Sequence, residues 1–171
     1  MEPLVVPADL ESFPGGPFDE DVVEAAAESV RDDAGWHIAP VETETVTVEG
    51  DGGRLLLLPS LKVNSVNSVT IDGEADTDWT LLPGARLYRA SGWPQRSLVE
   101  VAMTHGYENV PMALLPIIAA RCQRALVDAV LTQESESIGS RTLSKSYNIN
   151  RLEVEAASQG LGRYSLPPSF A

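Results

Sequence analysis

The chain is poor in the residues from which functional sites are usually built. It has one cysteine, Cys122, so no internal disulfide can form and the fold does not depend on an oxidising compartment. It has two histidines, His37 and His105, and no other imidazole to complete a zinc set. Its longest nearly apolar run, "VPMALLPIIAA", is far short of the ~20 residues a membrane helix needs. The first residues, "MEPLVVPADLES", lack a basic stretch followed by an apolar core, which predicts no secretion signal and a soluble intracellular product. Basic residues are nearly missing from the first fifty positions, where Arg31 faces thirteen acids. That balance argues against nucleic-acid binding, which relies on Lys and Arg to displace counterions from phosphates. Acidity also serves simply as a solubility device.

What is present points to one domain of ordinary size: 171 residues with 43% hydrophobic content suffice for a real core. "PADLESF" (7–13) predicts a short helical turn ended by "PGGP". The helix predicted over 19–34 has clear punctuation. Asp19 suits the N-cap, Glu20 and Asp21 suit the first turn, and Phe18 with Val23 suits a hydrophobic staple. Val22, Val23, Ala26, Ala27, Val30 and Ala34 then form one apolar face. Gly35 fits a left-handed cap that would turn Trp36 back onto the last turn.

From 43 to 104 the period changes to two, predicting an antiparallel sheet of about five or six short strands. "ETVTVEG" alternates, whereas "RLLLLPS" reads as a more deeply buried strand. Over 112–132 the pattern is helical and mostly apolar, with Arg121, Arg124, Asp128 and Thr132 in one narrow polar stripe. Pro111 suits the first turn; Pro116 should kink the helix or delay its regular start. The remaining stretch, 138–171, lacks core density but carries spaced Tyr147, Tyr164, Leu166 and Phe170. That composition fits an extended arm that orders on a partner, or a frayed terminus. The whole reads as α+β: a small helical bundle with an inserted antiparallel β element and an extended C-terminal arm. The core is expected over 1–137 and the arm over 138–171.

Motifs for chemistry fail one by one. No G-x-S-x-G elbow is present, and Cys122 sits on an apolar helix face where a thiol is packing material. His105, in "HGYENVP", marks a corner between a strand and a helix, so no catalytic residue is expected. "DGEADTD" (72–78) imitates a calcium loop, but its sixth and twelfth positions are Thr77 and Pro83. No phosphate-binding glycine motif occurs. Neither a metal nor a cofactor is expected.

The order of features does resemble a known family. "GWHIAP" at the helix exit, the "LLLLPS…VNSV" strands, and the strand–His–Gly–Tyr–x–x–Val–Pro–helix junction at 99–111 are similar to the head-to-tail connector (adaptor) proteins of long-tailed, siphovirus-type bacteriophages, especially those of actinobacteria. The resemblance covers roughly 4–135. It implies a non-enzymatic subunit in the neck of the virion, made in the host cytoplasm. It further implies a homo-oligomeric ring of twelve that docks on the portal protein, extends the DNA channel without binding DNA specifically, and receives the stopper, with no membrane contact. An acidic first third suits a channel through which DNA slides. Portal docking would then fall to Tyr147, Arg151, Tyr164, Leu166 and Phe170, and contacts between subunits to Arg121, Arg124 and Asp128. Arg124 and Asp128 equally suit a pair within the helix. The rivals are a stopper or tail-completion protein and, from another class, a small hydrolase or carbohydrate-binding module. The last would need a cleft collecting His37, His105 and several carboxylates, for which the sequence offers no signal.

Overall fold

The computed structural model describes residues 3–137 and 160–167, with side chains up to 127 in the first stretch. It is α+β, with two helices and two antiparallel sheets among the described residues. The chain divides into two compact units, Met1–Val30 with Pro111–Arg163, and Arg31–Val110 with Tyr164–Ala171.

The first unit is helical. A 3₁₀ turn spans Pro7–Leu10, with the Asp9 carboxylate accepting from the Val6 N–H at 3.1 Å. Helix α1 covers Glu20–Ala34, and its last turn belongs to the second unit. The Asp19 carbonyl accepts from Val22 and Val23, Phe18 and Val23 are both buried, and Val23, Ala26, Ala27 and Val30 form the inward face. Helix α2 covers Leu115–Ser137. Its start lies beyond Pro111, and Pro116 occupies its first turn, where a missing N–H leaves no intrahelical bond unmade. Leu114, Ile117, Ile118, Ala119 and Cys122 are buried, and burial pushes the Cys122 thiol up from its ordinary pKa. The Cys122 thiol approaches the Val22 carbonyl at 3.8 Å, and the Gln123 amide donates to the Pro14 carbonyl.

The second unit is built from seven strands among the described residues. They are β1 (Glu42–Glu49), β2 (Leu55–Leu57), β3 (Val63–Ile71), β4 (Glu74–Asp76), β5 (Thr80–Leu82), β6 (Arg86–Tyr88) and β7 (Leu98–His105). They make two sheets, ordered β1-β7-β3-β4 and β2-β6-β5, rather than one sheet of five or six strands. Four strands have only three residues, too few for a period of two to register in sequence. The "RLLLLPS" segment also differs from expectation. It alternates, leaving Leu55 and Leu57 each 42% exposed around buried Leu56.

One core serves both sheets: Leu56, Leu58, Val69, Ala85, Leu87, Trp93, Val99, Val101 and Met103 are all buried together. Full burial of each Val, Leu or Met contributes about 1.5–3 kcal/mol. The stretch that imitates a calcium loop is a strand connection: Asp72 accepts from the Leu98 N–H at 2.9 Å, and Asp76 pairs with Arg89 at 2.9 Å. Partial burial alone would raise the Asp76 pKa, but the hydrogen bond and charge of Arg89 hold it below the usual carboxylate range.

Candidate functional site

Both histidines fall at one end of the four-stranded sheet. Helix α1 ends when Gly35, at φ +75°, donates its N–H to the Arg31 carbonyl at 2.8 Å. The chain then runs through 36–40, where Ile38 is fully buried at φ +69°, a costly region for a β-branched residue. Buried Arg31 holds this segment, donating to the carbonyls of His37 (3.1 Å) and Ala39 (2.6 Å). On the other side, the Tyr107 N–H donates to the Ile38 carbonyl at 2.8 Å. Gly106, at φ +102°, lies so near the Pro40 carbonyl that an added Cβ would sit 2.7 Å from it. The glycine in "HGY" is therefore required by both its backbone angle and its neighbour.

Strand pairing supplies the carboxylates. Glu42 of β1 stands directly opposite His105 of β7, and Glu44 lies two residues on, on the same face. That face is the inward one, shared with Val46 and Val48. The His105 Nε2 approaches Glu44 Oε1 at 3.0 Å and Glu42 Oε1 at 3.8 Å, and the His37 Nδ1 approaches Glu42 Oε1 at 3.1 Å. The imidazole centroids are 5.8 Å apart. Their outer nitrogens are also engaged, His37 Nε2 with the Pro40 carbonyl at 2.6 Å and His105 Nδ1 with Ser60 Oγ at 3.1 Å. Burial lowers the His105 pKa, Glu44 and Glu42 oppose that, and His37 adds to it; the net shift is downward, towards the neutral ring.

Ser60, His105 and Glu44 thus lie in the order of a hydrolytic triad. The nucleophile fails the test: Ser60 is 1% exposed, and its Oγ already accepts from the Lys62 N–H at 3.2 Å. A buried hydroxyl cannot meet a substrate carbonyl. An open cavity in this unit, about 360 Å³ between 61–63 and 81–85, holds neither histidine and neither carboxylate.

The residues expected at partner surfaces are placed as follows. Tyr164 is half-buried: its carbonyl accepts from the Trp36 indole at 2.6 Å, and its ring meets Tyr107 edge-on at 6.3 Å. The Leu166 N–H donates to the Ala34 carbonyl at 2.8 Å. Tyr147, Arg151 and Phe170 lie outside the described residues. Arg121 donates to the Ser29 hydroxyl, Arg124 is exposed, and of Asp128 only the backbone, within α2, is described. Sequence reasoning did not find the Glu42–Glu44 pair. Its signal was in the register: glutamates in phase with Val46 and Val48 must point inward too.

Neither a protein-family model nor a curated protein matches the chain. Solved structures do. The fold is similar to that of a chain in the virion of the native gene transfer agent (GTA) particle. That likeness has a TM-score of 0.56 and 12% identity, over 93% of this chain and 86% of that one. A chain in the neck of the native GTA particle, computed with C12 symmetry, matches with a TM-score of 0.52 and 14% identity, over 86% and 81%.

Proposed function

We propose that the chain is a structural neck subunit of a phage-like particle, a head-to-tail adaptor that acts by geometry rather than by catalysis. The observation that carries this reading is the likeness of the fold, over most of both chains, to chains of a GTA virion and its neck. The twelvefold symmetry of that neck supports a ring of twelve here. In this reading the ring docks on the portal, the stopper seats on its far side, and DNA passes through without specific contacts. Residues 138–171 form the docking arm, with Tyr147, Arg151 and Phe170 as its principal contacts. Tyr164 and Leu166 would have to leave their present partners, or dock with those contacts kept. Arg121, Arg124 and Asp128 contribute to contacts between neighbouring subunits. The acidic first third discourages DNA from adhering.

Negative-stain electron microscopy of the full chain, alone and with the portal ring of the same genome, tests the reading. Twelvefold rings, or added density beneath the portal, are expected. Monomers that leave the portal unchanged would overturn the adaptor role, and density only on an assembled neck would make the chain a stopper.

A further inference from the structure

Four titratable groups on the inward side of a sheet require an explanation that a neck subunit does not supply. Two carboxylates are drawn against two imidazoles that are only 8% (His37) and 1% (His105) exposed. At 3.0–3.1 Å these pairs are near enough to hydrogen-bond, yet neither His37 Nδ1 nor His105 Nε2 makes a hydrogen bond. Two buried ring nitrogens are thus aimed at carboxylate oxygens without a well-directed proton between them. Burial of that kind is costly unless something else satisfies both sides.

We infer that His105 Nε2, Glu44 and Glu42 bind a divalent metal ion of the zinc type, with water completing its coordination. One ligand atom from each of Glu42, Glu44 and His105 already lies within 4.8 Å of the others. Tetrahedral zinc, with bonds of about 2.0–2.2 Å to nitrogen and oxygen, sets its ligands about 3.3–3.6 Å apart. The observed separations of His105 Nε2 from the two carboxylates, 3.0 and 3.8 Å, bracket that value. Mixed imidazole and carboxylate donors suit zinc better than calcium or magnesium.

The outer contact of His105 is that of a metal-bound histidine. His37 donates its Nε2–H to the Pro40 carbonyl and sets its Nδ1 3.1 Å from Glu42, beside the site rather than in it. His105 Nδ1 and Ser60 Oγ share a hydrogen bond at 3.1 Å; with the ring proton on Nδ1, the Nε2 lone pair faces Glu44. A neutral His105 ring, the form burial favours, is the one that ligates. The ion's two charges balance the two carboxylates. Access is from the carboxylate side, since Glu42 and Glu44 are 33% and 41% exposed. Bound there, the ion clips β1 to β7 at the end nearest the 36–40 segment, a structural role independent of the neck reading.

The test is calorimetric titration of the chelator-stripped full chain with zinc chloride, repeated with cobalt for its visible absorption. One zinc per chain, an intense tetrahedral cobalt spectrum, and a Tm rise on the order of 5–10 °C at saturating zinc are expected. Glu44→Gln, at a partly exposed position, should keep the fold and weaken binding by at least about tenfold; Glu42→Gln/Glu44→Gln should abolish it. Absence of one-to-one binding would overturn the inference. So would zinc affinity unchanged in Glu44→Gln, because the ion would then be held elsewhere on this acidic chain.

Discussion

The inward face of the β1–β7 pair has two halves made by the same two strands. Towards Glu49 and Leu98 it presents Val46, Val48, Val99, Val101 and Met103, dry and closely packed. Towards Glu42 and His105 the same alternation presents two glutamates and a histidine, with His37 added from the loop. Backbone pairing is continuous across both halves, so the ladder hydrogen bonds do not distinguish them. The difference is entirely in the side chains: one half gains from excluding water, and the other must satisfy charge. The apolar half therefore dominates stability, while the polar half is the pH- and ion-responsive end.

Breaking the apolar half should have the largest effect. Met103→Ala, at a fully buried site, is expected to cost about 2–5 kcal/mol, read as a drop in the urea midpoint at unchanged slope. A loss near zero would mean that the face collapses without penalty and is not the core. Next comes the corner that joins the halves to the loop. Gly106→Ala places a Cβ 2.7 Å from the Pro40 carbonyl at a positive φ, and about 1–3 kcal/mol should be lost in the same assay.

A smaller effect should appear with pH. The folded-state pKa of His105 lies below its unfolded value of ~6.5, so the unfolded chain binds more protons as acidity rises. The stability associated with the neutral ring is then complete above that value and falls as pH drops through the folded pKa. Chemical unfolding in metal-free buffer between about pH 7 and 5 should show this loss, and His105→Asn should flatten it. Asp76, also lowered, contributes stability above its ordinary range that is lost only in stronger acid. The smallest effect belongs to the outer face of the same strands. Thr43 and Thr104 share a hydrogen bond at 2.9 Å in full view of solvent, and Thr43→Val should shift stability by no more than about 0.5 kcal/mol.

How much of this was legible beforehand varies by element. Helix α1 was readable to within a residue because its staple, capping glycine and apolar face are local signals. The late start of α2, at Leu115 with Pro116 in its first turn, followed from the missing N–H of proline. The division into two sheets was not readable, since it depends on three-residue strands finding partners far along the chain. His37 and His105 were readable as corners, and they are corners. Their meeting was not readable. Sixty-odd residues separate them, and only the Glu42–His105 register brings the carboxylates beside the rings.

The chain's own order of residues determined where helices begin and end, which strand faces are apolar, and that an acidic first third precedes a nearly neutral remainder. Local sterics, capping and periodicity act over a few residues and need no partner to be read. Tertiary structure alone decided that two glutamates in phase with valines would face two histidines from distant corners, and that Ser60 would be sealed beneath one of them. Those outcomes depend on strand register and loop closure, which arise from many weak contacts acting together and are encoded in no single stretch.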